Sequence, residues 1–266
     1  MEKKRMPVLF VGHGSPLLAL ADNEITRGMA AVAEEVVSRH GRPRAILTIS
    51  AHWCTRGTFV QSAGAPRQVY DMYGFPRELY ELTYPANGSA ELTDAVQRAL
   101  GDAVAINDDW GIDHGIWSIL VHMFPQADIP VVQLSMDMAA APERAYEIGR
   151  KLTCLRDEGF LILASGNVVH NLRLVDWEHP DDASPTALSF NERIIREVTA
   201  RNDRAVINFE RLPDAAYAVP TPEHLLPLIY ALGASEGEPA HIFNNICNLG
   251  SMSMTGFVFE PVCDRA

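Results

Sequence analysis

The sequence is poor in positive charge, and lysine is especially scarce: only Lys3, Lys4 and Lys151 occur among its 266 residues. Lysine and arginine together number 22 against 34 aspartates and glutamates, which gives a formal net charge of −12. No run of basic residues follows the first five positions. Because nucleic acids and anionic membranes are bound through basic surfaces, the sequence predicts neither as a partner.

Long apolar runs are also lacking. The apolar stretch after the basic start at residues 1–5 is broken by Gly12 and His13, whereas a secretory signal needs about 7–15 apolar residues and a membrane helix about 20. The four cysteines are far apart and form no CxxC pair, which argues against a cysteine-based zinc site or redox motif. We expect a cytoplasmic protein with reduced thiols.

What the chain does contain is an ordinary globular composition, 47% apolar and 21% charged, in which predicted strands alternate with helices. This alternation predicts a single α/β domain over residues 1–266, with a mostly parallel sheet covered by helices on both faces. Apolar runs predict strands at residues 7–11, 45–50, 131–135 and 160–165, and late strands at 241–245 and 255–260. Helical spacing predicts helices at residues 25–40, 113–123, 142–158 and 222–232.

Three histidines come directly after predicted strands. His13 follows residues 7–11, His52 follows residues 45–50, and His170 follows residues 160–165. Since ligands of open α/β sheets bind beyond the carboxyl ends of the strands, we expect these side chains to converge. A fourth histidine, His224, lies in the first turn of a predicted helix, where the dipole favours a neutral ring. Neutral imidazole binds Zn and Fe(II), so these four histidines are candidate metal ligands.

Spacing alone leaves other interpretations open, because no HExxH or HxH motif is present and a single histidine after a strand is commonly a loop or core residue. His114 stands apart at a predicted helix start and is a candidate acid–base group or hydrogen-bond donor. Ser15 is better explained as a helix cap than as a nucleophile, since GHGSP is not GxSxG. Asn167 either orients ligands or completes a turn. We exclude the remaining four histidines from the site: His40, His122, His179 and His241.

An aromatic segment, residues 70–84 (YDMYGFPRELYELTY), places four tyrosines and Phe75 around Gly74 and Pro76. One interpretation is a surface loop whose rings cover the core. The other is a lid over a cleft that binds an aromatic molecule.

Seven motifs in order resemble the 4,5-DOPA dioxygenase extradiol family, the DODA-type branch of the class III extradiol ring-cleaving dioxygenases: GHGSP, SAHW, YGFPRELYELTYP, GIDHGIWSIL, ADIPVVQLSMD, SGNVVHNLR and TPEHLLPLIYALG. The resemblance covers nearly the whole chain, from His13 to residues 254–259. It implies an α/β fold, one non-haem divalent metal ion per chain, and insertion of both atoms of O2 into the ring of a catechol.

By this resemblance, His13, His52 and His224 match the metal-binding histidines of the family, and His170 is either a fourth ligand or the catalytic base. His114 matches the remaining catalytic-type histidine. More distant class III enzymes use two histidines and a glutamate, whereas here His224 stands at the third position with Glu223 beside it. Two metals therefore stay open: Fe(II), which the oxygen chemistry requires, and Zn(II), which an all-histidine site accepts readily.

The implied substrates are O2 and a catechol with a polar or carboxylate-bearing side chain, of which DOPA is the family's example. A carboxylate would need a local cation, because the net charge of −12 does not attract anions. Two alternatives are a zinc-dependent hydrolase that uses the same histidines and a non-enzymatic relative of the fold. The sequence carries no signal for an oligomeric state.

Overall fold

The computed structural model describes residues 5–260, which form a single-domain α/β fold around one large sheet. Most of the basic start and Cys263 lie outside the described residues. The large sheet contains β1 (Val8–Gly12), β2 (Ala45–Thr55), β3 (Thr58–Val60), β4 (Val104–Ile106), β5 (Val131–Asp137), β6 (Phe160–Gly166), β7 (Ala240–Phe243) and β10 (Gly256–Phe259). A separate small hairpin pairs β8 (Cys247–Asn248) with β9 (Met252–Ser253).

The eight strands lie in the order β4-β3-β5-β2-β6-β1-β10-β7. The centre of the sheet is parallel, since β5 pairs with β2, β2 with β6, and β6 with β1 in the same direction. The pairing of β3 with β5 is antiparallel, and β10 and β7 add two antiparallel strands at the other side. The predicted mostly parallel sheet is therefore confirmed, with the late strands as its antiparallel edge.

Helices lie on both faces of the sheet. They are α1 (Glu24–His40), α2 (Arg77–Glu81), α3 (Ala90–Leu100), α4 (His114–Met123), α5 (Pro142–Leu152), α6 (Cys154–Asp157), α7 (Pro185–Thr199), α8 (Asp203–Ile207), α9 (Ala215–Ala218) and α10 (Leu226–Ala234). Successive residues of β1 point into two different cores: Val8 and Phe10 pack with α3, α5, α7 and α10, whereas Leu9 and Val11 pack with α1 and α4. Burial on both faces explains why the central strands read as continuous apolar runs.

Two predicted helices begin or end differently in the structure. The helix expected at residues 142–158 is divided at Thr153, whose hydroxyl donates to the carbonyl of Ala234. The helix expected at residues 222–232 starts as a 3-10 turn, Pro222–His224, and becomes α-helical only at Leu226. Pro227 accounts for this, because it has no N–H to bond the carbonyl four residues earlier.

Asp113 and Thr221 stand at cap positions but form no side-chain bond to their helices. Asp113 precedes α4, but its carboxylate accepts hydrogen bonds from Ser50 Oγ, Trp110 Nε1 and Gln133 Nε2 instead of from the helix. Thr221 precedes the 3-10 turn, and its hydroxyl donates to Glu223 Oε1.

Within residues 5–260, no helix is both long enough and apolar enough to cross a membrane.

Candidate active site

Five histidines from five distant segments meet at one edge of the sheet. His13 follows β1, His52 lies near the end of β2, His114 begins α4, His170 follows β6, and His224 ends the 3-10 turn before α10. The ring centroids of His13, His52 and His224 form a nearly equilateral triangle with sides of 5.0, 5.3 and 5.4 Å. All the predicted site histidines therefore lie together. Of the four excluded ones, His40, His122 and His179 form hydrogen bonds to other groups, and His241 lies 3.8 Å from Glu260.

The parallel centre of the sheet determines this convergence. Gly12 and Gly166 are register partners at the ends of β1 and β6, and the His13 amide donates to the Gly166 carbonyl over 3.1 Å. A Cβ at position 166 would lie 2.0 Å from the carbonyl oxygen of His224. Glycine is therefore required there for the His224 backbone to pack directly against the end of β6.

His13 is held in one tautomer by Ser165. The Ser165 hydroxyl donates to the Gly115 carbonyl over 2.5 Å, so its oxygen must accept the proton of His13 Nδ1, which lies 2.9 Å away. With Nδ1 protonated, Nε2 of the neutral His13 ring carries a lone pair. Burial, together with the nearby His52 and His224, keeps the pKa of His13 well below its usual value and favours that neutral ring.

Asp71 connects two of the other histidines. Its carboxylate oxygens lie 3.1 Å from His52 Nδ1 and 2.9 Å from His114 Nδ1, and one of them also accepts from the His114 amide. An ionised carboxylate only accepts hydrogen bonds, so both rings carry their proton on Nδ1 and leave Nε2 free. Burial alone would raise the pKa of Asp71, but the bonds from His114 and His52 outweigh it and hold that pKa far below its usual value.

His224 is oriented in the same way by its neighbour. Its Nδ1 lies 3.2 Å from Glu223 Oε1, and its Nε2 is buried without a hydrogen-bond partner among residues 5–260. Burial, followed by the effect of His170 and His52, lowers the pKa of His224 well below its usual value, so the ring is neutral.

These contacts engage the Nδ1 atoms of His13, His52 and His224 and leave their Nε2 atoms on the side of the cavity. His13 Nε2 and His52 Nε2 lie only 3.1 Å apart, while His224 Nε2 has no partner within the described chain. Facing lone pairs at such distances repel one another unless a cation lies between them. The residues therefore fit a divalent metal, because each Nδ1–H is bound by a second group that fixes its orientation. Burial lowers the pKa of His52, but the bond with Asp71 and the nearby carboxylates outweigh it and hold that pKa above its usual value, so a metal would displace a proton there.

A second arrangement of ligands is also present. Ligand atoms of His13, His52 and His114 all lie within 4.8 Å of one another, and so do those of His170, Glu223 and His224. His114 is thus an alternative to His224 as the third ligand. The unpartnered Nε2 of His224 favours the set that the sequence predicts.

His170 stacks on His224, with the ring centroids 3.4 Å apart and the planes inclined by 8°. The His170 amide donates to the Ala218 carbonyl, which fixes its backbone, and neither ring nitrogen is hydrogen-bonded within residues 5–260. Burial, reinforced by His52, lowers the pKa of His170 to about 4. The ring is therefore neutral at neutral pH and can accept a proton.

The histidines form the floor of a cavity of about 420 Å³. Tyr73 and Phe75 contribute to its wall, as expected for a lid, and Tyr73 is 91% exposed. Tyr70 instead packs against Trp117 and donates its hydroxyl to the Leu82 carbonyl. Both interpretations of the aromatic segment therefore apply to parts of it. Tyr73 and Phe75 line the cavity, and Tyr70 covers the core.

Three supporting residues were missed by the sequence analysis: Asp71, Ser165 and Glu223 as a hydrogen-bond acceptor. Asp71 lies among the tyrosines of the aromatic segment, a pattern that indicates a lid and not a hydrogen-bond acceptor. Ser165 lies near the end of an apolar strand, where the pattern indicates only a strand residue. Asn167 donates its side-chain amide to the Ser253 carbonyl and its backbone amide to the His224 carbonyl, so it holds the backbone of a site histidine and not its ring. Ser15 accepts from the Leu17 amide as a cap while it also lines the cavity.

We expect Asp71→Asn to lower the affinity for a divalent metal about 10–100-fold, the usual effect of losing an outer-shell partner. An amide has one accepting oxygen and one donating NH₂, so it satisfies one ring and forces the other to move its proton to Nε2. A competition titration against a chromophoric chelator under anaerobic conditions measures the change. Asp176→Asn is the matched control, because Asp176 also accepts from a histidine ring, His179, but outside the cavity. Equal affinities of the two variants would contradict this role.

Comparison with known proteins identifies the family. The model described as the catalytic LigB subunit of aromatic ring-opening dioxygenase matches residues 7–260. A protein named 4,5-DOPA dioxygenase extradiol from Escherichia coli (strain K12) is 43% identical over 260 residues, covering 96% of this chain and 94% of that protein. One of the same name from Beta vulgaris is 35% identical over 257 residues, covering 94% of this chain and 95% of that protein.

A solved structure agrees with these matches. The crystal structure of an uncharacterized protein from Escherichia coli K12 has a TM-score of 0.84 and 40% identity, covering 96% of this chain and 100% of that one. The chain therefore belongs to the LigB family of aromatic ring-opening dioxygenases and is an enzyme of the extradiol ring-cleaving type.

Proposed function

We propose that this enzyme cleaves a catechol with O2 at an Fe(II) ion held by His13, His52 and His224. The observation that carries the assignment is the convergence of three imidazoles whose Nδ1 atoms are all bound elsewhere. Such a set supplies three nitrogen ligands, and a ferrous ion bound there would supply the redox chemistry that O2 requires. Zn(II) fits the same nitrogens but is redox-inert, so we expect it to bind without supporting turnover.

We assign the transfer of the catechol proton to a side chain of the protein. A catechol hydroxyl loses its proton more readily to a neutral ring than to a charged one, and His170 offers such a ring beside His224. We assign His170 as the base and, once protonated, as the acid that returns the proton. The alternative is that His170 is a metal ligand. The metal content of His170 variants distinguishes the two roles.

His114 has a separate role. Asp71 fixes its Nδ1, so Nε2 is free to accept a hydrogen bond from a substrate hydroxyl and can donate one after taking a proton. The same carboxylate holds His52, so the orientations of a metal ligand and of the hydrogen-bonding histidine are set together.

Much of the cavity wall is apolar. Apolar side chains surround the histidines, among them Met72, Phe75 and Met252. A low-dielectric surrounding strengthens the hydrogen bonds that the histidines make to substrate oxygens.

DOPA is the first catechol to test, because two of the relatives are named for it. The protein is stripped of metal, loaded anaerobically with one equivalent of Fe(II) or Zn(II), and then exposed to air with DOPA or 4-methylcatechol. We expect O2 consumption and a yellow ring-opened product with Fe(II) and none with Zn(II). His13→Ala loaded in the same way is the control for metal free in solution.

The outcome separates the alternatives. Oxygen consumption that His13→Ala retains would refute catalysis at this site. Absence of cleavage with Fe(II) confirmed in the protein would favour the zinc hydrolase or a non-enzymatic role.

We also propose that the enzyme works in the cytoplasm and has no nucleic-acid or membrane partner. The net charge of −12 and the separated cysteines support this.

A further inference from the structure

A buried carboxylate lies behind the histidine site without a positively charged side chain beside it. Asp113 is fully buried, and its oxygens accept from Ser50 Oγ over 2.6 Å, from Gln133 Nε2 over 2.5 Å and from Trp110 Nε1 over 2.9 Å. All three donors are neutral, and none of the ion pairs within residues 5–260 includes this carboxylate. Buried charges in proteins are normally paired or bound to a metal, so this one needs an explanation.

The hydrogen bonds around Asp113 fit the ionised form. An indole N–H can only donate, and a protonated carboxyl would need an acceptor for its own O–H. The Ser50 hydroxyl donates to Asp113 and accepts from the His52 amide over 3.2 Å, so it connects the carboxylate to the backbone of a site histidine. Asp113 therefore accepts three hydrogen bonds, donates none with its side chain and retains its negative charge.

Only a glycine separates this carboxylate from the His52 ring. A Cβ at position 115 would lie 3.2 Å from Asp113 Oδ1, 2.9 Å from His52 Cδ2 and 2.8 Å from Ser50 Oγ, too close to be accommodated without a shift. Cδ2 is the ring carbon bonded to Nε2. Gly115 thus allows the negative charge to lie near the edge of the ring that carries the candidate metal-binding nitrogen.

A purely structural role does not account for the charge. The start of α4 uses the Asp113 backbone, whose carbonyl accepts from the Ile116 and Trp117 amides, and any residue could supply that carbonyl. An asparagine could bond the same three donors without the large cost of burying a charge. Asp71 and Glu223 differ from Asp113 in this respect, because their carboxylates contact histidine ring nitrogens directly.

We propose that Asp113 is a positioning residue of the metal site, whose buried negative charge balances the ion held by His13, His52 and His224. The inference rests on the metal site of the proposed function and assigns to it a residue that touches neither ion nor substrate. Three histidine ligands bring no negative charge, so a divalent ion enters the buried site with its full charge. A carboxylate offsets that charge more strongly in a low-dielectric interior than it would in water.

The test begins with Asp113→Asn, which removes the charge and keeps the shape. The asparagine oxygen can accept from Trp110 and Gln133, and its NH₂ can donate to Ser50 Oγ. We expect the affinity for Zn(II), measured by competition with a chromophoric chelator, to fall about 10–100-fold, the range for loss of an outer-shell partner.

Asp108→Asn is the matched control. Asp108 also accepts from a serine hydroxyl, that of Ser62, but it does not line the active-site cavity. This variant has the same net charge as Asp113→Asn, and its affinity for Zn(II) should equal that of the unchanged protein.

Thermal melts separate the role of the charge from a structural role. Without metal, Asp113→Asn should melt at the temperature of the unchanged protein or above it, because it no longer buries an unbalanced charge. Zn(II) should raise its melting temperature less than that of the unchanged protein, since stabilisation follows affinity. The double variant Asp113→Asn/Gln133→Glu returns a carboxylate to the same buried pair, and its Zn(II) affinity should recover to within severalfold of the original.

The possible failures are distinguishable. Equal Zn(II) affinity of Asp113→Asn and the unchanged protein would overturn this inference and leave the metal site standing. A lower melting temperature of metal-free Asp113→Asn, with no recovery of affinity in the double variant, would also overturn it, because Asp113 would then be a structural residue. Failure of the unchanged protein to bind Zn(II) would instead refute the proposed metal site.

Discussion

His224→Ala should lower the affinity for Fe(II) or Zn(II) by more than the roughly 100-fold upper range for loss of an outer-shell partner, and activity should be lost with the metal. The buried Nε2 of His224 has no hydrogen-bond partner within the described chain, so its lone pair is available to bind a cation. Metal content after dialysis, measured by atomic absorption, and the chelator competition report the change.

His114→Ala is the matched comparison for this prediction. The His114 ring also has a free Nε2 and lies near His13 and His52, but we assign this nitrogen to a hydrogen bond with the substrate. The variant should keep its metal and lose turnover. If His114→Ala loses metal while His224→Ala retains it, the ligand set is His13, His52 and His114, and the assignment of these two residues must be exchanged.

His170→Ala should reduce kcat by about 10²–10⁴-fold, the range for a general acid–base residue, while one metal ion per chain stays bound. The ring is neutral at neutral pH and stacks on His224, so it is available to take a catechol proton next to the metal site. Steady-state O2 uptake with saturating catechol and metal analysis of the same sample measure both quantities.

His170→Gln and His122→Ala complete this experiment. Glutamine keeps much of the side-chain size but cannot exchange a proton, so its kcat should match that of His170→Ala. His122 bonds the Leu18 carbonyl outside the cavity, and its replacement should leave kcat unchanged. Loss of metal from both position-170 variants would make His170 a fourth ligand, and normal turnover with normal metal would remove it from the site.

Much of the fold follows from the sequence because both faces of the central strands are buried. Continuous apolar runs such as Phe160–Gly166 then stand out, and their ends place His13 and His170 at the same edge of the sheet. The ends of helices were less predictable. The late start of α10 depends on the missing N–H of Pro227, and the break before α6 depends on a tertiary bond from Thr153 to Ala234.

The supporting residues of the site could not be predicted in the same way. Asp71 and His114 are 43 positions apart, and no periodicity relates them, so their contact is a product of tertiary packing. Asp113 directly precedes a helix, where a side-chain cap would be expected, but its carboxylate accepts hydrogen bonds from the buried side chains of Ser50 and Gln133. Local patterns identify the residues that a site can use, whereas long-range contacts decide which of them become partners.

The histidines that converge on the site span positions 13 to 224 and come from segments separated by whole strand–helix units. No short fragment contains the site, and the unfolded chain would have to close loops of tens to more than a hundred residues to bring the rings together. Metal binding therefore selects the fully folded chain. By mass action, an ion present at 1,000 times its dissociation constant adds about 4 kcal/mol to the free energy of unfolding. An ion held by His13, His52 and His224 would thus also join the first and last thirds of the sequence.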